Sequence, residues 1–212
     1  MKRMSTVALL VLGTSFLGML LLMRFDPDDF ARLDTAATLF AQQFNTWQSV
    51  APLIAITTLG GVSGILLLTT LAVFLSRRDS LQVARLISVV AGQALSVSFI
   101  KLSLERARPE TVDWIGPIHS YSFPSGHATS TIALVGVVAV YMFARAKSRL
   151  HQAAIVLLAV LFVLSVGMSR IALGAHYASD VLAGYLLGGF WVAFVFTLQP
   201  PKKWRKQDTL SE

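Results

Sequence analysis

Residues Ser169 to Asp180 read S-R-I-A-L-G-A-H-Y-A-S-D, and they sit between two apolar segments, about Ala153 to Met168 and about Val181 to Leu198. Both segments read as membrane spans, which places Arg170, His176 and Asp180 at a bilayer. A charge at a helix centre costs roughly 2.5 to 3.5 kcal/mol on insertion scales, so these residues need a partner or a task. His176 and Asp180 stand four apart and share a face if the segment is helical. The carboxylate can then accept from one imidazole nitrogen and hold the other unprotonated, ready to attack or to accept a proton.

The rest of the chain agrees with a membrane setting. Of 212 residues, 55% are apolar and only 14% charged, with the hydropathy spread over the whole length, so the expected fold is an all-α integral membrane bundle in one domain, 1–212. The absence of Cys excludes a disulfide framework and a thiolate metal site. A net charge of +7 invites a nucleic-acid reading, but the basic residues cluster in short links between apolar runs, where they set orientation, and no nucleic acid is expected.

Six spans follow in order. Met4 to Met23 is the first, long for a signal peptide and followed by Arg24-Phe25-Asp26 in place of a small-residue cleavage site. Between Asp26 and Trp47, Phe30, Leu33, Ala37, Phe40, Phe44 and Trp47 recur at helical spacing and predict an amphipathic helix on the membrane surface. The second span falls within Val50 to Leu75 and the third within Leu81 to Leu104. A polar loop from Glu105 to Phe123 precedes the fourth, Ser125 to Ala144; the two already named complete the set, and Pro200-Pro201 stops the last before a basic tail, Lys202 to Lys206. Twelve of the 18 Lys and Arg fall on the side of both termini, which predicts cytoplasmic termini and chemistry facing outward.

Three clusters carry that chemistry. Lys101 and Arg108-Pro109 form K-x-x-x-x-x-x-R-P, Pro124-Ser125-Gly126-His127 opens the fourth span, and Arg170, His176 and Asp180 close the series. A phosphate dianion needs several fixed cations, and Lys101, Arg108 and Arg170 supply one point charge and two guanidinium forks. Ser125-Gly126 at a helix start can add backbone N–H groups and the positive end of the dipole. Two histidines can divide attack at phosphorus from protonation of the leaving oxygen.

Together these motifs resemble the three-part signature of the type 2 phosphatidic acid phosphatase superfamily, membrane lipid phosphatases related to vanadium haloperoxidases. Asp34 and Thr57-x-Leu59-Gly60 resemble weaker landmarks of that family, while Ala178 departs from the Pro that many members carry. The resemblance implies that His176 is the nucleophile, oriented by Asp180 and forming a phosphohistidine, and that His127 is the general acid and then base. It implies a phosphate cradle of Lys101, Arg108, Ser125, Gly126 and Arg170, no metal and no cofactor. The implied substrate is a membrane lipid with a terminal phosphate or pyrophosphate: phosphatidic acid, phosphatidylglycerophosphate, undecaprenyl pyrophosphate or a lipid A phosphate. The implied setting is a bacterial inner membrane with the site on its outer face and no obligatory protein partner.

Phosphotransfer to a second lipid is open on the same residues; vanadate-dependent halide oxidation and a headgroup-binding flippase or scaffold are the more distant readings. Among other polar residues, Glu105 is placed to pair with Lys101, Arg106 to meet headgroups or solvent, and His119 and His151 to be incidental. Trp47, Trp114, Trp191 and Trp204 fall near span ends and suggest an aromatic belt, and Gly60-x-x-x-Gly64 and Gly184-x-x-x-Gly188 suggest close helix packing.

Overall fold

The computed structural model describes residues 2–26, 28–43, 46–109 and 119–199. Among them, all regular structure is helical: α1 (Lys2–Phe25), α2 (Asp28–Gln42), α3 (Trp47–Gly60), α4 (Val62–Leu75), α5 (Ser80–Leu104), α6 (Gly126–Arg145), α7 (Arg149–Ala172) and α8 (Ala178–Leu198). Five of these are long and apolar enough to cross a membrane, and α3 with α4, taken together as a bent pair, pass the same test. The all-α membrane bundle expected from the sequence is therefore what forms. Trp114 and the basic tail lie outside the described residues.

α6 and α8 form the centre. Lipid tails are as apolar as Leu, so helices in a bilayer associate through close fit rather than through escape from water. Gly184 and Gly188 give that fit: a Cβ on either would come within 2.8 Å of the Ser125 carbonyl or 2.5 Å of the Thr129 carbonyl on α6. Leu86 and Val89 of α5, Ala133, Leu134 and Val137 of α6 and Val195 and Phe196 of α8 complete one buried cluster. Leucines and phenylalanines such as Leu67, Leu95, Phe99, Leu158 and Leu161 remain exposed, as a lipid-facing surface requires.

Two elements differ from the sequence reading. The second span is not one helix, because the chain bends by 53° between α3 and α4 at Gly61. Gly64 makes the bend possible rather than packing a neighbouring helix, since a Cβ there would lie 2.4 Å from the Thr58 carbonyl. Hydropathy runs unbroken through this region and hides the bend; the Gly60-Gly61 pair was its signal. In α2, Leu33 and Phe40 are exposed, as a surface helix requires, but Phe30 packs on the bundle and the polar residues Asp34 and Thr38 are buried with Ala41, where a surface helix would turn its polar side to water. Trp191 also leaves the expected belt: it packs on Gly92 and its indole donates to Ser96 Oγ at 3.1 Å, inside the α5–α8 contact.

The C-terminal ends of α5 and α7 and the N-terminal ends of α6 and α8 meet at one end of the bundle. The opposite end is closed by Arg85, which donates to the Gln199 carbonyl at 2.7 Å, and by the Arg145–Asp79 ion pair at 3.0 Å.

Candidate active site

Lys101 lies in the last turn of α5, and the helix stops four residues later at Glu105, whose left-handed backbone (φ 50°) turns the chain back over the bundle. Lys101 Nζ donates to the carbonyl oxygens of Tyr121 and, at 3.5 Å, Ser122, so it faces the returning loop instead of pairing with Glu105 as its spacing suggested. Arg108 is fixed on the same loop by the Ser120 carbonyl (2.7 Å) and hydroxyl (3.0 Å) and by the Ala175 carbonyl.

The loop then enters α6 at Ser125, the N-cap, whose hydroxyl accepts from Ala128 N at 3.4 Å. The Ser125 N–H is already committed to the Asp180 carbonyl at 3.0 Å, so the residue ties α6 to α8 from behind the site. Gly126 and His127 are the first residues of α6, where N–H groups lack an intrahelical acceptor.

Arg170 ends α7. Its carbonyl accepts from both Ala175 N (3.0 Å) and His176 N (3.2 Å), a closure that uses the positive φ of Gly174 (70°), a conformation glycine adopts without steric cost. His176 therefore sits in the turn before α8, not on the helix with Asp180. Its Nδ1 is 3.5 Å from Asp180 Oδ2 all the same. Nε2 lies 3.3 Å from Arg108 NH1, and a nitrogen facing a guanidinium is the unprotonated one. Burial pushes the imidazole down to about 4 against the pull of Asp180, with Arg108 and Arg170 acting in the same direction as burial.

Lys101, Arg108, Gly126, His127, Arg170 and His176 line one cavity of about 400 Å³. Ser125 and Asp180, both fully buried, stand behind it, so all eight sequence-derived residues are within its wall or its support. The same cavity continues along Ile65 and Leu66 of α4 and Val90, Ala94 and Val97 of α5, with Leu66 and Ala94 exposed on the outside of the bundle. Arg170 NH1 donates to Thr57 Oγ1 at 2.8 Å, while its Nε is buried with no hydrogen-bond partner among the described residues. A buried donor left unmade costs roughly 1–3 kcal/mol, which an anionic oxygen in the cavity would recover.

Sequence reasoning missed a layer beneath these residues. Arg106, expected to meet headgroups or solvent, instead bridges two buried carboxylates, Asp34 at 2.7 Å and Asp180 at 2.5 Å. Burial opposes its charge, but Asp180 and Asp34 outweigh burial and hold the guanidinium above its ordinary value. Ser122 Oγ donates to Asp180 Oδ2 at 2.5 Å, and Ser179 donates to Asp34 through both its N–H (2.8 Å) and its hydroxyl (2.6 Å). The signal for Arg106 was Asp34 itself, a landmark of the family resemblance whose carboxylate, once buried, needs a cation. His119 is exposed, and His151 is exposed beside Ser148, as expected of incidental residues.

This arrangement has known counterparts. The profile of the PAP2 superfamily matches residues 82–204, more than half of the chain and every residue of the three motifs. The chain belongs to the PAP2 superfamily. It is 34% identical over 92 residues to a phosphatidylglycerophosphatase B of Bacillus subtilis, covering 42% of this chain and 44% of that one. It is 33% identical over 117 residues to a lipid A 1-phosphatase of Rhizobium etli, covering 51% and 46%. The chain thus spans less than half the length of either relative. In three dimensions it resembles the crystal structure of a transmembrane PAP2-type phosphatidylglycerolphosphate phosphatase from Bacillus subtilis, with TM-score 0.78, 26% identity, and 92% and 98% of the two chains covered. The PAP2 chain is accordingly a multi-pass membrane protein with the fold of that phosphatase.

Proposed function

We propose that this PAP2 protein, as a single transmembrane domain over 1–212, hydrolyses the terminal phosphate of a membrane lipid phosphate or pyrophosphate. The observation that carries the reading is the two-part cavity: three cations and two histidines at its head, apolar walls of α4 and α5 below, open to the outside of the bundle. A headgroup and its tails need that combination.

In this reading the three cations and the first N–H groups of α6 hold the phosphoryl oxygens. His176 Nε2 attacks phosphorus, the bond to the lipid oxygen breaks, and His127 gives that oxygen its proton. Water then attacks the phosphohistidine, losing a proton to His127 and releasing phosphate. Asp180 keeps the proton of His176 on Nδ1. The protein's own cations do the electrostatic work that Mg²⁺ does in many phosphoryl transfers, and no group of three His, Cys, Asp or Glu placed to bind a metal occurs among the described residues.

Two measurements test this. Purified protein in mixed micelles, at fixed surface concentration of substrate, is expected to favour phosphatidic acid, phosphatidylglycerophosphate, polyprenyl pyrophosphate or lipid A over glycerol phosphate or glucose 6-phosphate by a large factor in kcat/KM. Each buried CH₂ contributes about 0.8 kcal/mol to partitioning beside the site. Activity is expected to survive EDTA. Equal cleavage of soluble esters would replace the lipid reading, and loss on chelation restored by Mg²⁺ would remove the metal-free step. Separately, a reporter after Glu212 is expected to read cytoplasmic and one in the Glu105–Phe123 loop outside the cytoplasm, in the inner membrane of a bacterium. The reverse result would move the site to the inner face.

A further inference from the structure

Beneath the phosphate cradle runs a second, polar layer, of which the reaction as written uses only Asp180. Asp34 on α2 is 2% exposed and Asp180 on α8 is fully buried, and Arg106 NH1 and NH2 span the two. The acceptors on Asp180 are divided. Oδ1 takes Arg106, while Oδ2 takes Ser122 Oγ (2.5 Å), Tyr177 N (2.9 Å) and the side of His176 Nδ1 (3.5 Å). The other end of the fork is equally fixed, because Asp34 holds Arg106 at 2.7 Å while bonding Ser179 at the start of α8. Arg106 also stacks over Tyr177, 4.3 Å from the ring centre.

We infer that Arg106, anchored by Asp34, is a positioning residue for the His176–Asp180 pair: it occupies Asp180 Oδ1, leaving Oδ2 to the imidazole, and offsets the carboxylate's charge. The inference rests on the reading of His176 as nucleophile. A fully charged Asp180 beside a buried histidine draws a proton onto the ring, and a protonated ring cannot attack. The other charged groups facing His176 are Arg108 from the loop, Arg170 from α7, Lys101 from α5 and His127 from α6, with Ser122 the neutral neighbour. All four are cations or can become so, and none of them touches Asp180 Oδ1. Arg106 is thus the cation assigned to the carboxylate rather than to the substrate.

The test is ¹⁵N-histidine NMR of the full chain in micelles, the His176 signal being identified by its loss in H176Q. In R106Q the titration midpoint of His176 is expected to rise by at least about one pH unit, and the acid limb of kcat/KM on a lipid phosphate to move up with it. R106K keeps the charge but cannot span two carboxylates, so its midpoint is expected to stay near the wild-type value while kcat falls. D34N/R106Q removes one buried carboxylate with the cation and is expected to show the same upward shift, which supplies the measurement if R106Q folds poorly. An unmoved midpoint in both R106Q and D34N/R106Q overturns the inference. A moved midpoint in a protein that releases no phosphate from any lipid supports this inference and sinks the phosphatase reading instead.

Discussion

His176→Ala is expected to slow phosphate release from a lipid phosphate by at least about 10⁴-fold, the scale seen when a covalent nucleophile is removed from a site whose binding groups remain. Of the groups around it, Lys101, Arg108 and Arg170 are cations, Asp180 is fully buried with both oxygens committed to donors, and His127 is engaged as the acid on the leaving oxygen. The fold should persist, because Asp180 keeps Arg106, Ser122 and the Tyr177 N–H after the imidazole is gone. Size-exclusion profile and thermal midpoint near those of the wild type would check that. Rapid quenching of the wild type on labelled lipid is expected to trap acid-labile, base-stable phosphate on His176. Label on another residue, or residual activity within tenfold of wild type, would refute the nucleophile assignment. The pH dependence follows from the same ring. Its ordinary value near 6.5 falls to about 4 on burial, so the free enzyme keeps a neutral nucleophile down to that pH, and the acid limb belongs near 4. The stability contribution has the same sign: it is complete above about 6.5 and is lost as pH falls toward 4, where the folded protein at last accepts the proton.

The fold was legible because a bilayer imposes long apolar runs and places charge at their ends. Six such runs were separable in the sequence, and the head of the site could be assembled from residues at their ends alone. Two kinds of feature were not. A bend within an apolar run leaves hydropathy unchanged, so the break at Gly61 showed only as a Gly pair. Tertiary pairing of charges was the other. Arg106 and Asp34 are 72 positions apart, and nothing in local spacing says that the loop returns over α2. The amphipathic period of α2 was read correctly, but the role of its polar side was not, since Asp34 is buried and reaches Arg106 while Leu33 and Phe40 stay exposed. Burying Asp34 and Asp180 beside a half-buried Arg106 is tolerable only when each charge is paired and hydrogen-bonded; removing one partner from a buried pair costs about 3–5 kcal/mol. That cost explains why, among the described residues, none of Asp34, Arg106, Ser122, Ser179 and Asp180 has a buried side-chain oxygen or nitrogen without a hydrogen-bond partner.

His127→Ala is expected to show a loss that depends on the leaving group, which separates an acid catalyst from a phosphate-binding residue. On a lipid phosphomonoester the departing alkoxide needs a proton as the bond to phosphorus breaks, and loss of a positioned general acid costs typically about 10²–10⁴-fold. On a pyrophosphate the departing group is itself a phosphate, stable as an anion, so the same variant should lose far less. The geometry gives the residue access: His127 is the second residue of α6, lines the cavity with His176 and the three cations, and packs against the bend at Gly61, where an added Cβ would come within 3.2 Å of its Nε2. It therefore reaches the head of the site from the side of the broken span. The comparison needs one enzyme preparation and two substrates of equal chain length, a phosphomonoester and a pyrophosphate, with kcat measured at saturating surface concentration. An aryl phosphate lipid with an acidic phenol serves as a third point, expected to fall near the pyrophosphate. Equal losses on all three would mean that His127 holds phosphate instead of donating a proton, and the acid would then have to be sought elsewhere in the cavity.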